Sequence, residues 1–381
     1  MNLPTLQCVK ALVVPDKFKG TLTASEAAEA IASGWCRVRP GDHLELLPMS
    51  DGGDGFGAIM SALIGAEAVV TGSVDAAQRP IAASWWWHAA TATAIIESAR
   101  IIGLAQLPGG KYHPFDLDTR GLGIVLQAAE NRDARKCIIG IGGSATNDAG
   151  FGVAREIGWG FHDERGRNLT RWIELEHLGQ VEKPVRGLSS AQITVAVDVQ
   201  NPLLGPEGCT RVYGPQKGLR PDDFPLAERC LARLASVLKK QHDLDFANAP
   251  GAGAAGGLGF GLCSFAGAQL ASGFDLFAKQ ARLKDRLRDA DLVITAEGAI
   301  DRQTLMGKGV GQIAALCHEA RLPCIALAGM VTDRKAAAEQ FSHVHTLTDL
   351  TSREQAMADA ALWLEKISAH AAEQFDLQRT N

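Results

Sequence analysis

The sequence predicts an α/β protein in two domains, and three observations carry that expectation. Short apolar runs alternate with helix-period segments at both ends of the chain, the pattern of βαβ units whose strands pair in parallel. The middle of the chain breaks that rhythm with consecutive strand-like runs and a glycine-rich section. The length, 381 residues, exceeds what one ordinary core supports. The expected organisation is a discontinuous α/β domain, 1–75 with 285–381, and a second α/β domain, 76–284, inserted into it.

The elements follow in order. Residues 9–14 read as a strand that ends in Asp16-Lys17-Phe18-Lys19-Gly20, after which Thr23 or Ser25 can cap a helix carrying Ala27, Ala30 and Ile31 on one face. A second strand at 43–48 runs into Asp51-Gly52-Gly53-Asp54-Gly55 and a helix over 58–64. Residues 69–74, 82–87 and 92–97 are consecutive strands, with Trp85, Trp86 and Trp87 alternating across the middle one as packing groups. A helix at 119–129 feeds an apolar strand at 137–141, which enters Gly142-Gly143-Ser144-Ala145-Thr146-Asn147-Asp148 and a helix carrying Val153, Ala154 and Ile157. Further on lie a strand at 192–197 followed by Asp198, an amphipathic helix at 226–238 and a short strand at 292–295 ending in Glu297. A helix at 310–320, a strand at 323–327 and a C-terminal helix at 354–367 complete the chain.

Composition excludes several classes of function. The chain is 46% hydrophobic and 21% charged with a net charge of −5, and no basic cluster interleaves with aromatics, so a nucleic-acid surface is not expected. Eight cysteines are scattered without a CxxC pair, which points to reduced, mostly buried thiols rather than disulfides or zinc. Residues 1–10 lack the pattern of a signal peptide, and a cytoplasmic protein is expected. The uncharged stretch 246–274 is long enough to span a bilayer, but Pro250 and its dense glycines make it a glycine-rich loop followed by a buried helix.

In α/β sheets the ligand crevice lies outside the carboxyl ends of the strands. Here strand after strand ends in a polar-glycine cluster: Asp16 to Gly20, Asp51 to Gly55, Gly142 to Asp148, Asp198 with Asn201, and Glu297 with Asp301. Turn chemistry alone accounts for any one of them; their recurrence favours a shared site. Glycines at a strand-to-helix turn turn backbone N–H groups toward an anion, so the guest expected at 142–148 is a phosphate or a substrate carboxylate. Carboxylates from separate loops suit a magnesium–nucleotide site, and Lys17, Lys19, Lys217 and Lys308 could neutralise phosphoryl charge. Asp51 and Asp54 could each serve as base or metal ligand, or simply cap the helix beginning near Phe56.

Other motifs carry less. Gly251, Gly253 and Gly256 match GxGxxG, with Asp275 about twenty residues on, but no strand precedes them. A phosphate loop opening a helix is the surviving reading. Gly307-Lys308 does not complete a Walker A motif, and no GxSxG elbow occurs. His343 and His345 share a strand face without a third ligand nearby in sequence and read as a surface pair.

On seven segments the chain resembles the bacterial type-1 glycerate kinases: VPDKFKGTLTA (14–24), MSDGGDG (49–55), GGSATNDAG (142–150), VDVQNPLLGP (197–206), YGPQKG (213–218), GAGAAGGLG (251–259) and DLVITAEGAIDRQTLMGKG (291–309). It departs from that family's usual pattern at Val197, Gln200, Ala296 and Ala299. The resemblance implies a Rossmann-like three-layer α/β/α domain with an inserted second α/β domain and an active site in the cleft between them. It implies ATP- and Mg²⁺-dependent phosphorylation of D-glycerate, with 2-phosphoglycerate favoured over 3-phosphoglycerate, by a monomer or homodimer without nucleic-acid or membrane partners. The candidate catalytic residues are Asp16, Lys17, Lys19, Asp51, Asp54, Asp198, Lys217, Glu297, Asp301 and Lys308, with Asp51, Asp198 and Asp301 as metal ligands or as acceptors of the substrate proton. Gly142, Gly143, Ser144, Thr146, Asn147, Asp148, Gly251, Gly253, Gly256, Gly257, Gln303 and Thr304 are the candidates for substrate or phosphate binding. A dinucleotide-dependent oxidoreductase and a non-catalytic nucleotide-binding regulator are the alternatives; bound-cofactor absorbance would mark the first, and tight ATP binding without turnover the second.

Overall fold

The computed structural model describes residues 8–188 and 191–375; residues 1–7, within the segment read as carrying no signal peptide, lie outside it. The strands, in chain order, are β1 (Lys10–Pro15), β2 (His43–Leu46), β3 (Glu67–Val74), β4 (Pro80–His88), β5 (Thr93–Glu97) and β6 (Lys136–Gly140). Then come β7 (Gly160–Asp163), β8 (Leu178–Glu182), β9 (Gln192–Val197), β10 (Gln269–Ser272), β11 (Leu292–Ile300), β12 (Cys324–Val331) and β13 (His343–Thr346). The chain divides into two compact units, Met1–Ser50 with Phe277–Asn381, and Asp51–Leu276. Residues 51–75, expected in the discontinuous unit, group with the continuous one because β3 is the antiparallel partner of β4.

The discontinuous unit is built on a five-stranded parallel sheet of order β13-β12-β11-β1-β2. Parallel sheets are covered on both faces, and their strands read as continuous apolar runs for that reason. Val9, Ala11 and Val13 of the first strand region share one core with Leu292, Ile294, Ile325 and Leu327, and helices Ala24–Val38 and Ala360–Gln374 close it. The opposite face carries Leu12, Val293 and Ala326, with Val310, Ile313 and Cys317 of helix Val310–Ala320 also buried. Thr23 is the cap of the first helix, in a reciprocal capping box with Glu26. Gly34 lets that helix approach the C-terminal one: a Cβ there would lie 2.0 Å from the Glu365 carbonyl oxygen. Ser368 Oγ donates to the Ile31 carbonyl at 2.7 Å across the same contact. The C-terminal helical segment is two helices, Arg353–Ala358 and Ala360–Gln374, rather than one. β11 is also longer than expected, so Glu297 lies inside the strand, paired with Ala328 of β12.

The continuous unit carries a six-stranded sheet of order β10-β9-β6-β5-β4-β3. β10, β9, β6 and β5 run parallel, and the β3–β4 hairpin adds the antiparallel edge. Ile96, Ile139 and Val195 point into the main core with Leu122 and Val125 of helix Arg120–Glu130, Leu231 and Leu234 of helix Phe224–His242, and Leu258 and Leu262 of helix Ala254–Ala266. Trp85 belongs to that core, fully buried with Nε1 donating to Thr71 Oγ1 at 2.9 Å. Trp86 turns to the other face, where Gly57 of helix Phe56–Ile64 lies so close that a Cβ would meet its ring at 2.0 Å. β7 and β8 form a separate antiparallel pair.

All eight cysteines are free thiols, six of them buried. No helix among the described residues is long and apolar enough to cross a membrane; the uncharged stretch supplies the helix Ala254–Ala266 instead. His343 and His345 stack on β13 with ring centroids 6.5 Å apart, and the structure brings His370 edge-on to His345 at 5.9 Å. Among the described residues no group of three or more His, Cys, Asp or Glu side chains is arranged to hold a metal ion.

Candidate active site

In the discontinuous unit, β1 and β11 lie side by side with Pro15 opposite Ala296, and the Asp16 N–H donates to the Ala296 carbonyl at 2.7 Å. Asp16 is thereby pinned at the end of β1, buried, with Oδ1 accepting the Lys17 N–H at 2.7 Å. Phe18 folds the loop back on itself through its N–H to the Leu22 carbonyl at 2.9 Å, while Lys19 stays exposed. Glu297 projects from β11, and its Oε1 accepts the Thr304 hydroxyl at 2.6 Å. Asp301 caps the short helix Arg302–Leu305: Oδ1 accepts the N–H groups of Gln303 at 2.7 Å and Thr304 at 3.3 Å. Gly309 is the focus of the group. A Cβ on it would stand 3.6 Å from Glu297 Oε2 and 3.9 Å from Asp16 Oδ2, so two carboxylates converge on one glycine, whose φ of +52° a side chain would disfavour. Thr304 is buried, whereas Gln303 and Lys308 are exposed.

In the continuous unit the 51–55 loop, the 142–148 turn and the end of β9 assemble a second constellation. Asp51 closes a local turn, its Oδ1 accepting the Gly53 N–H at 3.1 Å, and Asp198 Oδ1 accepts the Gly273 N–H at 3.1 Å. Gly273 ties the two acids together, since a Cβ there would lie 2.1 Å from the Asp51 carbonyl oxygen. The Gly142 N–H donates to the Gly52 carbonyl at 3.3 Å, and a Cβ on Gly143 would meet Asp54 Oδ1 at 2.6 Å. The glycines of both loops therefore serve close approach of one backbone to another.

Neither Asp51 nor Asp54 caps the helix Phe56–Ile64. Glu97, the last residue of β5, does so: Oε1 accepts the Gly55 N–H at 3.0 Å and Oε2 the Gly57 N–H at 2.9 Å. A carboxylate at a helix N-terminus is favoured by both the free N–H groups and the dipole. Sequence reading missed Glu97. The signal was a lone acid ending an otherwise apolar strand, without the glycines that marked the other loops.

The 142–148 turn is more structural than its composition suggests. Asp148 is wholly buried, and its two oxygens accept the Thr119 N–H and hydroxyl, the Gly150 N–H and the Gly152 N–H at 2.8–3.1 Å. It holds the N–H groups at the start of the helix Phe151–Glu156, and burial pushes its carboxyl up from the ordinary value. Asn147 Nδ2 donates to Thr210 Oγ1 at 3.1 Å, while Asn147 Oδ1 and Thr146 Oγ1 are buried without a partner. Lys217, the last residue of helix Cys209–Lys217, is also buried; its Nζ donates to Ser144 Oγ at 2.9 Å and to the Thr146 carbonyl at 2.5 Å.

Gly251, Gly253, Gly256 and Gly257 are likewise buried, not an open phosphate cradle. The Gly253 N–H donates to the Asn201 carbonyl at 2.9 Å, and the Gly256 carbonyl accepts the Ala149 N–H at 3.1 Å. A Cβ on Gly256 would lie 2.0 Å from the Thr146 carbonyl oxygen. Ala255, Gly256 and Gly257 all take left-handed φ values, +56°, +72° and +84°, so the regular helix starts only after them. This glycine run seats the 146–150 backbone, which is why the motif needs no preceding strand.

The geometry supplies two acid pairs, Asp16 with Glu297 about Gly309 and Asp51 with Asp198 about Gly273. Magnesium takes only one or two protein carboxylates and completes its shell with phosphate oxygens and water, so such pairs fit it. Asp301 Oδ1 is spent on its cap.

The family model described as the glycerate kinase family matches residues 11–376. The chain is 36% identical to a glycerate kinase of Bacillus subtilis (strain 168), covering 98% of this chain and 99% of that one. It is 37% identical to a glycerate 2-kinase of Escherichia coli (strain K12), over 90% of this chain and 91% of that one. Among solved structures, one assigned as glycerate kinase 2 from Salmonella typhimurium LT2 superposes with a TM-score of 0.81 at 32% identity, covering 96% of this chain and 98% of that one.

Proposed function

Since the chain belongs to the glycerate kinase family, we propose that it transfers the γ-phosphoryl group of ATP to D-glycerate with the help of Mg²⁺. The 2-hydroxyl is the favoured acceptor, in line with the name of the Escherichia coli relative. The observation that carries this reading is the convergence of Asp16 and Glu297 on Gly309, one carboxylate just past the end of β1 and the other on the neighbouring parallel strand β11. Phosphoryl transfer asks mainly for positioning and for neutralisation of charge, which such a set of acids and lysines can provide.

When bound, magnesium would neutralise phosphate charge during the transfer. In the discontinuous unit Asp16 and Glu297 are the pair suited to hold it, with Asp301 orienting the helix that carries Gln303 and Thr304; in the continuous unit the corresponding pair is Asp51 and Asp198. A carboxylate, Asp51 in its loop or Asp198 at the end of β9, accepts the proton of the attacking hydroxyl. Lys17, Lys19 and Lys308 stabilise the phosphate charge, and the 142–147 turn receives an anionic oxygen group of a substrate. The reaction belongs to the cytoplasm, its partners are ATP and a small hydroxy acid, and the working form is a monomer or homodimer.

The test is ADP formation from Mg²⁺-ATP with and without D-glycerate, followed by ³¹P and ¹³C NMR of the product. Glycerate-dependent ADP release with carbon–phosphorus coupling at C2 supports the proposal. Coupling at C3 would overturn the regiochemistry, and no release by folded protein would overturn the substrate.

A further inference from the structure

A lysine buried in a protein is usually met by a carboxylate, because an isolated cation in a low-dielectric interior is strongly disfavoured. Lys217 departs from that rule. It is 6% exposed, its ammonium donates only to the neutral oxygens of Ser144 and Thr146, and among the described residues no acid forms an ion pair with it. The charged or titratable groups that face it are Cys209, on its own helix, and Asp148, on the turn. Cys209 is a neutral thiol, pushed up to about 12 chiefly by burial, its Sγ donating to the Leu203 carbonyl at 3.2 Å. Asp148 has its oxygens engaged by the four donors from Thr119, Gly150 and Gly152, and burial raises the cost of its charge.

The surroundings are polar but unfinished. Thr146 Oγ1 and one end of the Asn147 amide have no partner, whichever way that amide is assigned. On the open side of the same turn Gly143 is exposed at φ +76°, and Gly142 is half-buried. A cation therefore stands immediately behind a glycine turn that leads to solvent.

We propose that Lys217 is a positioning residue that holds the 143–146 turn from behind and supplies the positive charge by which that turn attracts an anionic oxygen group, without itself touching the ligand. The ligand chemistry is a carboxylate or a phosphate, and in the reaction proposed above, on which this inference rests, either substrate offers one. This differs from direct contact with the transferred phosphoryl group, because the ammonium is covered by Ser144 and Thr146. Burial holds the lysine down at about 8, so its charge fades within a range the enzyme can be assayed in, and bound anion would favour the charged form.

The experiment is steady-state kinetics of wild type, K217M, K217R and S144A with D-glycerate and Mg²⁺-ATP varied in turn from about pH 7 to about pH 9. The expected result is a rise of about tenfold or more in one KM for K217M at neutral pH, with the other KM within about twofold. A rise in the glycerate KM identifies the carboxylate, and a rise in the ATP KM the phosphate. The same KM in wild type rises about tenfold toward about pH 9, stays flat with pH in K217M, and is largely restored by K217R. S144A, which keeps the cation, retains the pH dependence. Unchanged KM values, equal changes in both, a loss of kcat alone, or a pH-independent wild-type KM would overturn the proposal. If K217M does not fold, the wild-type and S144A profiles decide by the same criteria. If wild type turns over no glycerate, the kinase reading fails separately; calorimetric binding of ATP and of D-glycerate to wild type and K217M across the same pH range then decides this one, with equal affinities overturning it.

Discussion

Glu97 accepts the backbone N–H of Gly55 at 3.0 Å, and with its second oxygen that of Gly57, in the first turn of the helix Phe56–Ile64, at 2.9 Å. The acid thus closes the helix N-terminus that follows the 51–55 loop. What could have been a phosphate-binding helix end is already satisfied by the protein, and the loop is left to present Asp51 and Asp54. Removing the carboxylate strands two buried or half-buried donors and the loop they anchor. E97A is expected to lose about 2–4 kcal/mol of stability and to lower kcat through displacement of Asp51. Denaturant unfolding and kinetics check this; a variant with wild-type stability would remove Glu97 from the account.

Asp148 is expected to behave as a structural acid. Its neutral amide analogue, D148N, turns a donor toward N–H groups that now find an acceptor, at a cost of about 3 kcal/mol. Whatever fraction folds should bind glycerate and ATP with near-normal KM. A fully stable D148N with a large rise in KM would restore Asp148 to the binding set and contradict the burial argument.

The glycine run at 251–257 makes a contrast possible between two left-handed glycines. At Gly65, φ +70° with nothing within 4 Å, alanine carries only the conformational penalty of about 1–2 kcal/mol. At Gly256, φ +72°, the new methyl also meets the Thr146 carbonyl oxygen at 2.0 Å, so the loss should exceed that of Gly65→Ala by about 1–3 kcal/mol. Paired thermal melts of G65A and G256A test this; equal losses would show that the 146–150 backbone yields freely.

These cases show where sequence reading stopped. The strands of the parallel sheets were legible because both of their faces are buried, which leaves runs such as 9–14 and 137–141 almost wholly apolar. β7, β8 and β10 were not, being four or five residues long with polar positions interspersed. Asp148 and the 251–257 glycines were recognised as special, but their buried hydrogen bonds and close backbone approaches were not legible, since a glycine or acid required by close packing has the same letter as one required by a ligand. Glu97 lacked even that signal. Only burial and hydrogen-bond partners separate these cases, and neither is written in local sequence.

Lys217 also makes the stability of the fold depend on pH. Its ordinary value of 10.5 falls to about 8 in the folded chain, so between those two values the unfolded chain binds more protons. Stability contributed by this group therefore rises with pH, from a full penalty below about 8 to none above 10.5, a span of about 3 kcal/mol. Other groups titrate in the same window, so the informative quantity is wild type minus K217M. That difference should grow in favour of wild type as pH rises from about 8 to about 10; a difference independent of pH would mean that the buried ammonium is neutralised in the folded chain by a group this account does not include.

The most direct test of the central claim, that strand-end carboxylates carry the phosphoryl transfer, is glycerate-dependent ADP release by wild type and D198N at saturating Mg²⁺-ATP. The account predicts ready turnover by wild type and a loss of about a hundredfold or more in D198N, with the circular dichroism and melting temperature of the two proteins alike. Turnover by D198N within about threefold of wild type would contradict it, and so would a wild-type protein that binds ATP and never releases ADP on addition of D-glycerate.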